Sequence, residues 1–305
     1  MSGQCWGSDT ASQNVEEATD STEIAAISVS CTEDKVMYFS NSPTGWWAYR
    51  LGHNPSAKRW SAPQHLKVLV DGKKSCVGER YYFKVLEGPW VIKSKHYNGL
   101  APSYAQGNVL KKYKGKDVLI EANPHMSAAN LKVVYSRHQV LEYGNFATPA
   151  VIGELNYAGV VKTVSMVGDL IAPNVKHPIS IPDEKHNDDA VRKKYGRTDF
   201  FDMWFRIDAP TAKANLAGNG QPGDRYFHLG LGSAGCFTNL YPSQTDWSIN
   251  DRDWNTIAKT LSQARVGENQ LYVGYITFQI PETIYKQIHA NIITFAQKHK
   301  ITKYI

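Results

Sequence analysis

The sequence predicts a mainly β protein, a β-rich α+β chain whose helices fall in its second half. Three observations carry this. Short aromatic and β-branched runs broken by Gly, Pro and Asn recur from residue 36 onward, the pattern of strands joined by tight turns. Helical spacing of apolar residues is confined to segments beyond residue 250. At 305 residues, 42% hydrophobic and 20% charged, the composition is ordinary for a globular chain of two modest domains and excludes a wholly disordered, collagen-like or coiled-coil one.

Residues 1–35 read as an acidic, loosely ordered N-terminal arm, with seven acids and no Lys or Arg up to Asp34. Residues 36–146 read as a small all-β accessory module. Its strands are expected at 36–39, 46–51, 66–70, 80–85, 90–93 and 109–113; the last turns at Lys114-Gly115-Lys116 into 118–122, and 131–135 follows. Trp46, Trp47, Trp60 and Trp90 suit either its core or the holding of sugar rings. The turn residues of YGNFATPA, at 143–150, place the boundary to the next domain.

Residues 147–282 are expected to form the second domain, with strands at 159–167, 178–181, 203–207 and 225–229 and a polar loop at 210–223. Asp251 is expected to cap a helix whose Trp254, Ile257, Ala258 and Leu261 share one face, with Arg265 in its last turn and Gly267 just past it. The run LYVGYITFQI at 271–280 has the length and apolar continuity of a central buried strand. Pro281 then opens a C-terminal amphipathic helix, residues 283–305, with Ile284, Ile288, Ile292 and Phe295 in one stripe.

Charge narrows the function. The net charge is +6, and beyond the acidic arm 34 bases face 21 acids, a body of +13 that suits an anionic polymer. Nucleic acid is not expected as a partner, because the bases are dispersed and no helix-turn-helix, RNP or zinc-finger pattern is present. No apolar run approaches the roughly 20 residues of a membrane-spanning helix, and the first residues lack the pattern of a secretory signal. The expectation is a chain made in the cytoplasm without a signal peptide and without a membrane span. Cys5, Cys31, Cys76 and Cys236 lie far apart with no C-x-x-C pair, which indicates neither a zinc knuckle nor a dense disulfide scaffold.

The chemistry concentrates in residues 224–239, DRYFHLGLGSAGCFTN. A strand delivers His228, a loop of small residues follows (Gly230, Gly232, Ser233, Ala234, Gly235), and Cys236 ends it. A nucleophilic thiol needs an imidazole to take its proton and backbone N–H groups to hold an oxyanion. Glycines ahead of the thiol let those N–H groups approach a carbonyl without a Cβ in the way. A buried, inert Cys in a glycine-rich turn fits the same residues.

With His228, Ser233, Gly235 and Cys236 in this order, the segment resembles the signature of the L,D-transpeptidases, the YkuD-like cysteine enzymes of peptidoglycan. Trp204-Phe205-Arg206-Ile207, Arg225-Tyr226-Phe227-His228, the Trp254 helix with Arg265 and the strand with Val273-Gly274 are similar to a short-loop branch of that family. Ile181-Pro182-Asp183-Glu184-Lys185-His186 is similar to it more weakly. Two departures stand out: Ala234 makes the loop S-A-G-C, and Phe237-Thr238-Asn239 lacks the Arg that usually follows the Cys.

The resemblance covers roughly residues 150–280 and implies a β-sandwich catalytic domain that needs no cofactor or metal. It implies that Cys236 attacks a stem-peptide carbonyl, His228 moves the proton, and Ser233 and Gly235 complete the catalytic loop. Arg225, Arg206, Tyr226, Trp204 and His186 would contact the substrate, with Arg225 or Arg206 replacing the missing anchor. The implied partners are peptidoglycan stem peptides. Because that polymer lies outside the cytoplasmic membrane, an antibacterial effector delivered by a secretion-machine carrier and neutralised by an immunity protein is expected, acting in the periplasm or cell wall. Two other classes stay open: a metal-dependent wall amidase using His177, Asp183, His186, Asp188 or Asp189 with His228, and a non-enzymatic wall-binding adaptor.

Overall fold

Alternation of apolar and polar residues builds a first sheet from β1 (Lys35–Phe39), β2 (Trp46–Leu51), β3 (Arg59–Pro63), β4 (Lys67–Val70), β5 (Arg80–Val85), β6 (Gln106–Leu110) and β9 (Leu119–Ile120). These belong to a computed structural model that describes residues 33–88, 105–143, 146–167, 172–182, 200, 203–208, 225–229, 237–239, 248–267 and 271–298. The strand order is β3-β2-β6-β5-β4-β1-β9, antiparallel throughout. A two-stranded ribbon, β7 (Lys112–Tyr113) and β8 (Lys116–Asp117), turns at Lys114-Gly115, both with positive φ. Phe39, Trp47, Tyr49, Leu66, Val68, Phe83 and Val85 form the core of this sheet. Trp47 is buried in that core and Trp60 packs partly buried against it, so these two fill the module's interior, while Trp46 is buried outside that cluster. Trp90 lies outside the described residues.

The second assembly begins earlier than the turn signal suggests. β10 (Ala129–Tyr143) and β11 (Phe146–Tyr157) form one long hairpin, so the turn residues expected to mark a domain boundary near 143–150 lie within a single pairing unit. Sheet membership changes instead between Ile120 and Ala129. With β12 (Val160–Val167), β13 (Lys176–Ser180), β14 (Phe205–Ile207), β15 (Arg225–Leu229), β16 (Phe237–Asn239) and β17 (Tyr272–Gln279), the hairpin closes into an eight-stranded barrel. The protein is therefore mainly β, as expected, and its second half forms one closed barrel where a two-sheet sandwich was expected. Two ladders are parallel, β10 with β17 and β15 with β16; the rest are antiparallel. β17 is central, paired on both sides, and at Gly274 the Ala129 backbone approaches so closely that a Cβ would overlap it.

Among the described residues there are three helices. α1 (Gly72–Cys76) is capped by Asp71, whose carboxylate accepts from the Lys74 amide at 3.0 Å. α2 (Ser248–Gln263) starts three residues before the expected Asp251 cap and lays Trp254, Ile257, Ala258 and Leu261, all fully buried, against the barrel core. α3 (Glu282–Lys298) follows Pro281 as predicted, with Glu282 in its first turn and Lys298 in its last. Its Ile288 is buried in the barrel core, so this helix belongs to the barrel assembly. Among the described residues no helix is long and apolar enough to cross a membrane.

Arg265 departs from the sequence expectation. It lies past the end of α2, and its guanidinium forks onto Glu87 of the first sheet, Nε to Oε2 at 3.2 Å and Nη2 to Oε1 at 2.8 Å. Both side chains are buried, and Glu87 also accepts from the Lys67 amide at 2.9 Å, so the pair is geometrically satisfied. Around it Gln64 donates to the Ser262 hydroxyl at 2.7 Å, and His125 Nε2 meets the His65 carbonyl at 2.8 Å. This polar seam joins the first sheet to the barrel.

Candidate active site

Strand β15 carries two faces. Phe227 and Leu229 enter the apolar core, whereas Tyr226 and His228 share the opposite face. β14 is its antiparallel neighbour with Phe205 paired to Phe227 and Arg206 to Tyr226, so Trp204, one step further, comes opposite His228. The two rings stack, centroids 3.8 Å apart and planes inclined by 11°.

His228 is 2% exposed. Its Nδ1 lies 2.8 Å from the Leu229 carbonyl, which can only accept, so Nδ1 bears the hydrogen and Nε2 is left as the basic atom. Nε2 is buried and has no hydrogen-bond partner among the described residues. An imidazole held in one tautomer, with Nε2 unpartnered among the described residues, presents its lone pair in the geometry a general base needs.

The neighbour on the other side is β16. It runs parallel to β15 with Phe237 paired to Phe227 and Thr238 to His228. The strand that holds the imidazole is therefore beside the strand that Cys236 leads into. Cys236, Ser233, Gly235 and His186 themselves lie outside the described residues, as do Asp183, Asp188 and Asp189.

The remaining predicted contacts are distributed unevenly. Arg206 is buried, and its Nε lies 3.3 Å from Asp208 Oδ1. Asp208 also accepts from the Ser180 hydroxyl at 3.4 Å and from Tyr272, whose phenol is pushed up to about 12 by burial first and by the charge of Asp208 second. The Arg206 charge is thus engaged with Asp208 within the protein. Tyr226 is 1% exposed and packs 6.0 Å from the Trp204 ring, so it supports the site from within. Arg225 opens β15, three residues before His228.

Sequence reasoning missed Asp208, Ser180 and Tyr272. For Asp208 a signal was present, since an Arg and an Asp two apart on a strand share a face. Tyr272 and Ser180 join through long-range pairing of β13 with β17 and carry no local signal.

Among the described residues no three His, Cys, Asp or Glu side chains gather as a metal site. His177 sits on β13, two strands from His228, and its Nε2 meets the Ala172 carbonyl at 2.8 Å, so that nitrogen bears a hydrogen and offers no lone pair to a metal. Cys76 is disulfide-bonded and is not a free thiol. No protein-family model, curated protein or solved structure matches the chain.

Proposed function

We propose that the protein is a cysteine-dependent L,D-transpeptidase or L,D-carboxypeptidase acting on peptidoglycan stem peptides. The observation that supports this most is His228: a buried imidazole locked through Nδ1 to the Leu229 carbonyl, its Nε2 without a hydrogen-bond partner among the described residues, on the strand beside the one that follows Cys236. In this reading Nε2 takes the Cys236 proton as the thiolate attacks the carbonyl between the diamino acid and the terminal D-Ala. The tetrahedral oxyanion is held by loop N–H groups, including those of Gly235 and Cys236, with Ser233 in the same loop. Collapse breaks the C–N bond, and His228 returns the proton to the departing D-Ala amine. A thioester remains, and an amine, a free D-amino acid or water then releases the enzyme as a crosslink, an exchanged peptide or a trimmed one.

The Cys76 disulfide fits an oxidising compartment such as the periplasm, where the polymer lies. The strongly basic body suits the same anionic polymer. We infer from these an antibacterial effector acting in the periplasm, with a secretion carrier and an immunity protein as partners.

The test is intact-mass analysis of disaccharide-tetrapeptide incubated with the protein, with and without a free D-amino acid. Loss of D-Ala, its exchange or a crosslinked dimer supports the reading and identifies the acceptor. A substrate left unchanged by the wild type in every arm overturns it.

A further inference from the structure

We propose that Trp204 is a positioning residue for His228, acting through the stacked face of its indole; the proposal rests on His228 being the base. The imidazole has one described in-plane anchor, the Nδ1 hydrogen bond to Leu229 at 2.8 Å. One bond leaves the ring free to swing about its own axis and carry Nε2 off line. An indole lying 3.8 Å away at 11° removes that freedom, because a swing of the imidazole drives its edge into the indole face.

The second contribution is electrostatic. When Nε2 takes a proton the ring becomes a cation in a buried place, and among the described residues no carboxylate is hydrogen-bonded to it. The π face of a tryptophan is the best neutral partner for such a charge, and the contact is strongest when water is excluded. The stack is thus complementary to the charged ring that exists during proton transfer, which is where binding energy accelerates a reaction.

The chain on either side of Trp204 is anchored in the core. Met203, fully buried, donates its amide to the Phe200 carbonyl at 3.0 Å and packs against Gly45 of the first sheet, while Tyr226 braces the indole at 6.0 Å. With one indole face taken by His228, Trp204 works through the imidazole.

The experiment compares the wild type with Trp204→Leu and Trp204→Phe in three readouts. These are the rate of Cys236 alkylation by iodoacetamide at neutral pH, kcat and KM on muropeptide, and the proton shift of His228 Cε1–H, assigned by its loss in His228→Gln. Removing the stack in Trp204→Leu is expected to slow alkylation and kcat about tenfold with KM little changed, and to move the His228 proton downfield as the ring current disappears. Trp204→Phe keeps a π face and restores most of each. Trp204→Met, apolar and of similar reach but without a π face, replaces the Leu variant if that one does not fold. Wild-type alkylation and kcat in the variants without a π face overturn the proposal, as does a raised KM with kcat unchanged, which would make Trp204 a direct substrate contact. A wild type that turns over no muropeptide, yet whose Cys236 alkylation still depends on Trp204, overturns the proposed function and supports the positioning role.

Discussion

Phe237 is paired with Phe227 across the parallel strands β16 and β15, so the residue after Cys236 lies beside the residue before His228. Parallel neighbours are separated by roughly 4.8 Å, and under the proposed function the Cys236 thiol and the His228 base act as one unit. Cys236→Ala is expected to abolish muropeptide turnover, and His228→Ala to lower kcat about 10²- to 10⁴-fold. The double variant should be no worse than Cys236→Ala alone, as for groups that share one step. Single-turnover assays by mass spectrometry check all three. Turnover by Cys236→Ala at the wild-type rate would remove the thiol from the chemistry.

The seam between sheet and barrel gives a pH dependence of stability. His65 is fully buried, with Nε2 3.0 Å from Asn41 Oδ1 and Nδ1 3.3 Å from the Ser262 hydroxyl, which already donates to the Lys259 carbonyl and accepts from Gln64. Burial first, and then the charge of Arg265, lowers its pKa to about 4, with His125 and Lys259 adding smaller repulsions. The folded protein therefore keeps His65 neutral while the unfolded chain takes up a proton below its ordinary value of 6.5. Stability contributed by neutral burial is complete above pH 6.5 and is lost as pH falls from 6.5 to about 4. From pH 7 to pH 5 this amounts to about 2 kcal/mol. His125, shifted the same way by burial, steepens the loss. Urea unfolding at the two pH values checks it, and His65→Gln should flatten the slope; an unchanged slope would place the titrating group elsewhere.

Local signals located much of this fold and part of the site. β15 coincides with the strand read at 225–229, and β17 and α3 fall where apolar continuity and the Pro281 signal put them. The hairpin of β10 and β11 was read as a boundary because a turn looks the same in sequence whether it joins two strands or two domains, and only the Val140 to Pro149 pairing and its neighbours distinguish them. β16 is three residues long, too short for an alternation to register. Arg265 reads in the sequence as a helix-end charge, whereas its partner Glu87 is 178 positions away, a pairing that no local pattern signals. The group that orients the imidazole, the backbone carbonyl of Leu229, carries no side-chain signal in the sequence.

Gly45 connects the first sheet to the site. Its φ is +80°, and a Cβ there would come within 2.7 Å of the Met203 Cε, next to Trp204. Gly45→Ala combines a left-handed backbone penalty of about 1–2 kcal/mol with pressure on a methionine end that can yield. The expected result is a loss of roughly 1–3 kcal/mol in stability, read by denaturant midpoint, together with a lower kcat as Trp204 shifts against His228. A loss of stability with kcat unchanged would show that the sheet supports the fold alone and leaves the stacked pair untouched.

The disulfide at Cys76 makes a prediction that bears on the whole catalytic reading, because its partner must be Cys5, Cys31 or Cys236. Cys31 is the expected one. Asp34 Oδ1 accepts from the Gly72 amide at 3.1 Å and the Glu33 backbone presses against Gly72, which brings the chain two residues from Cys31 onto the short helix that ends at Cys76. Peptide mapping of exported protein without reduction should therefore yield a linked Cys31 to Cys76 peptide and an alkylated Cys236. Cys76→Ser should then lower stability by about 2–4 kcal/mol, as loss of a loop-closing bond does, while kcat measured well below the new melting temperature stays near wild type. Protein made with the thiols reduced should show the same loss. A linked Cys76 to Cys236 peptide would instead leave no nucleophile at the end of the glycine loop, and the cysteine mechanism would fall with it.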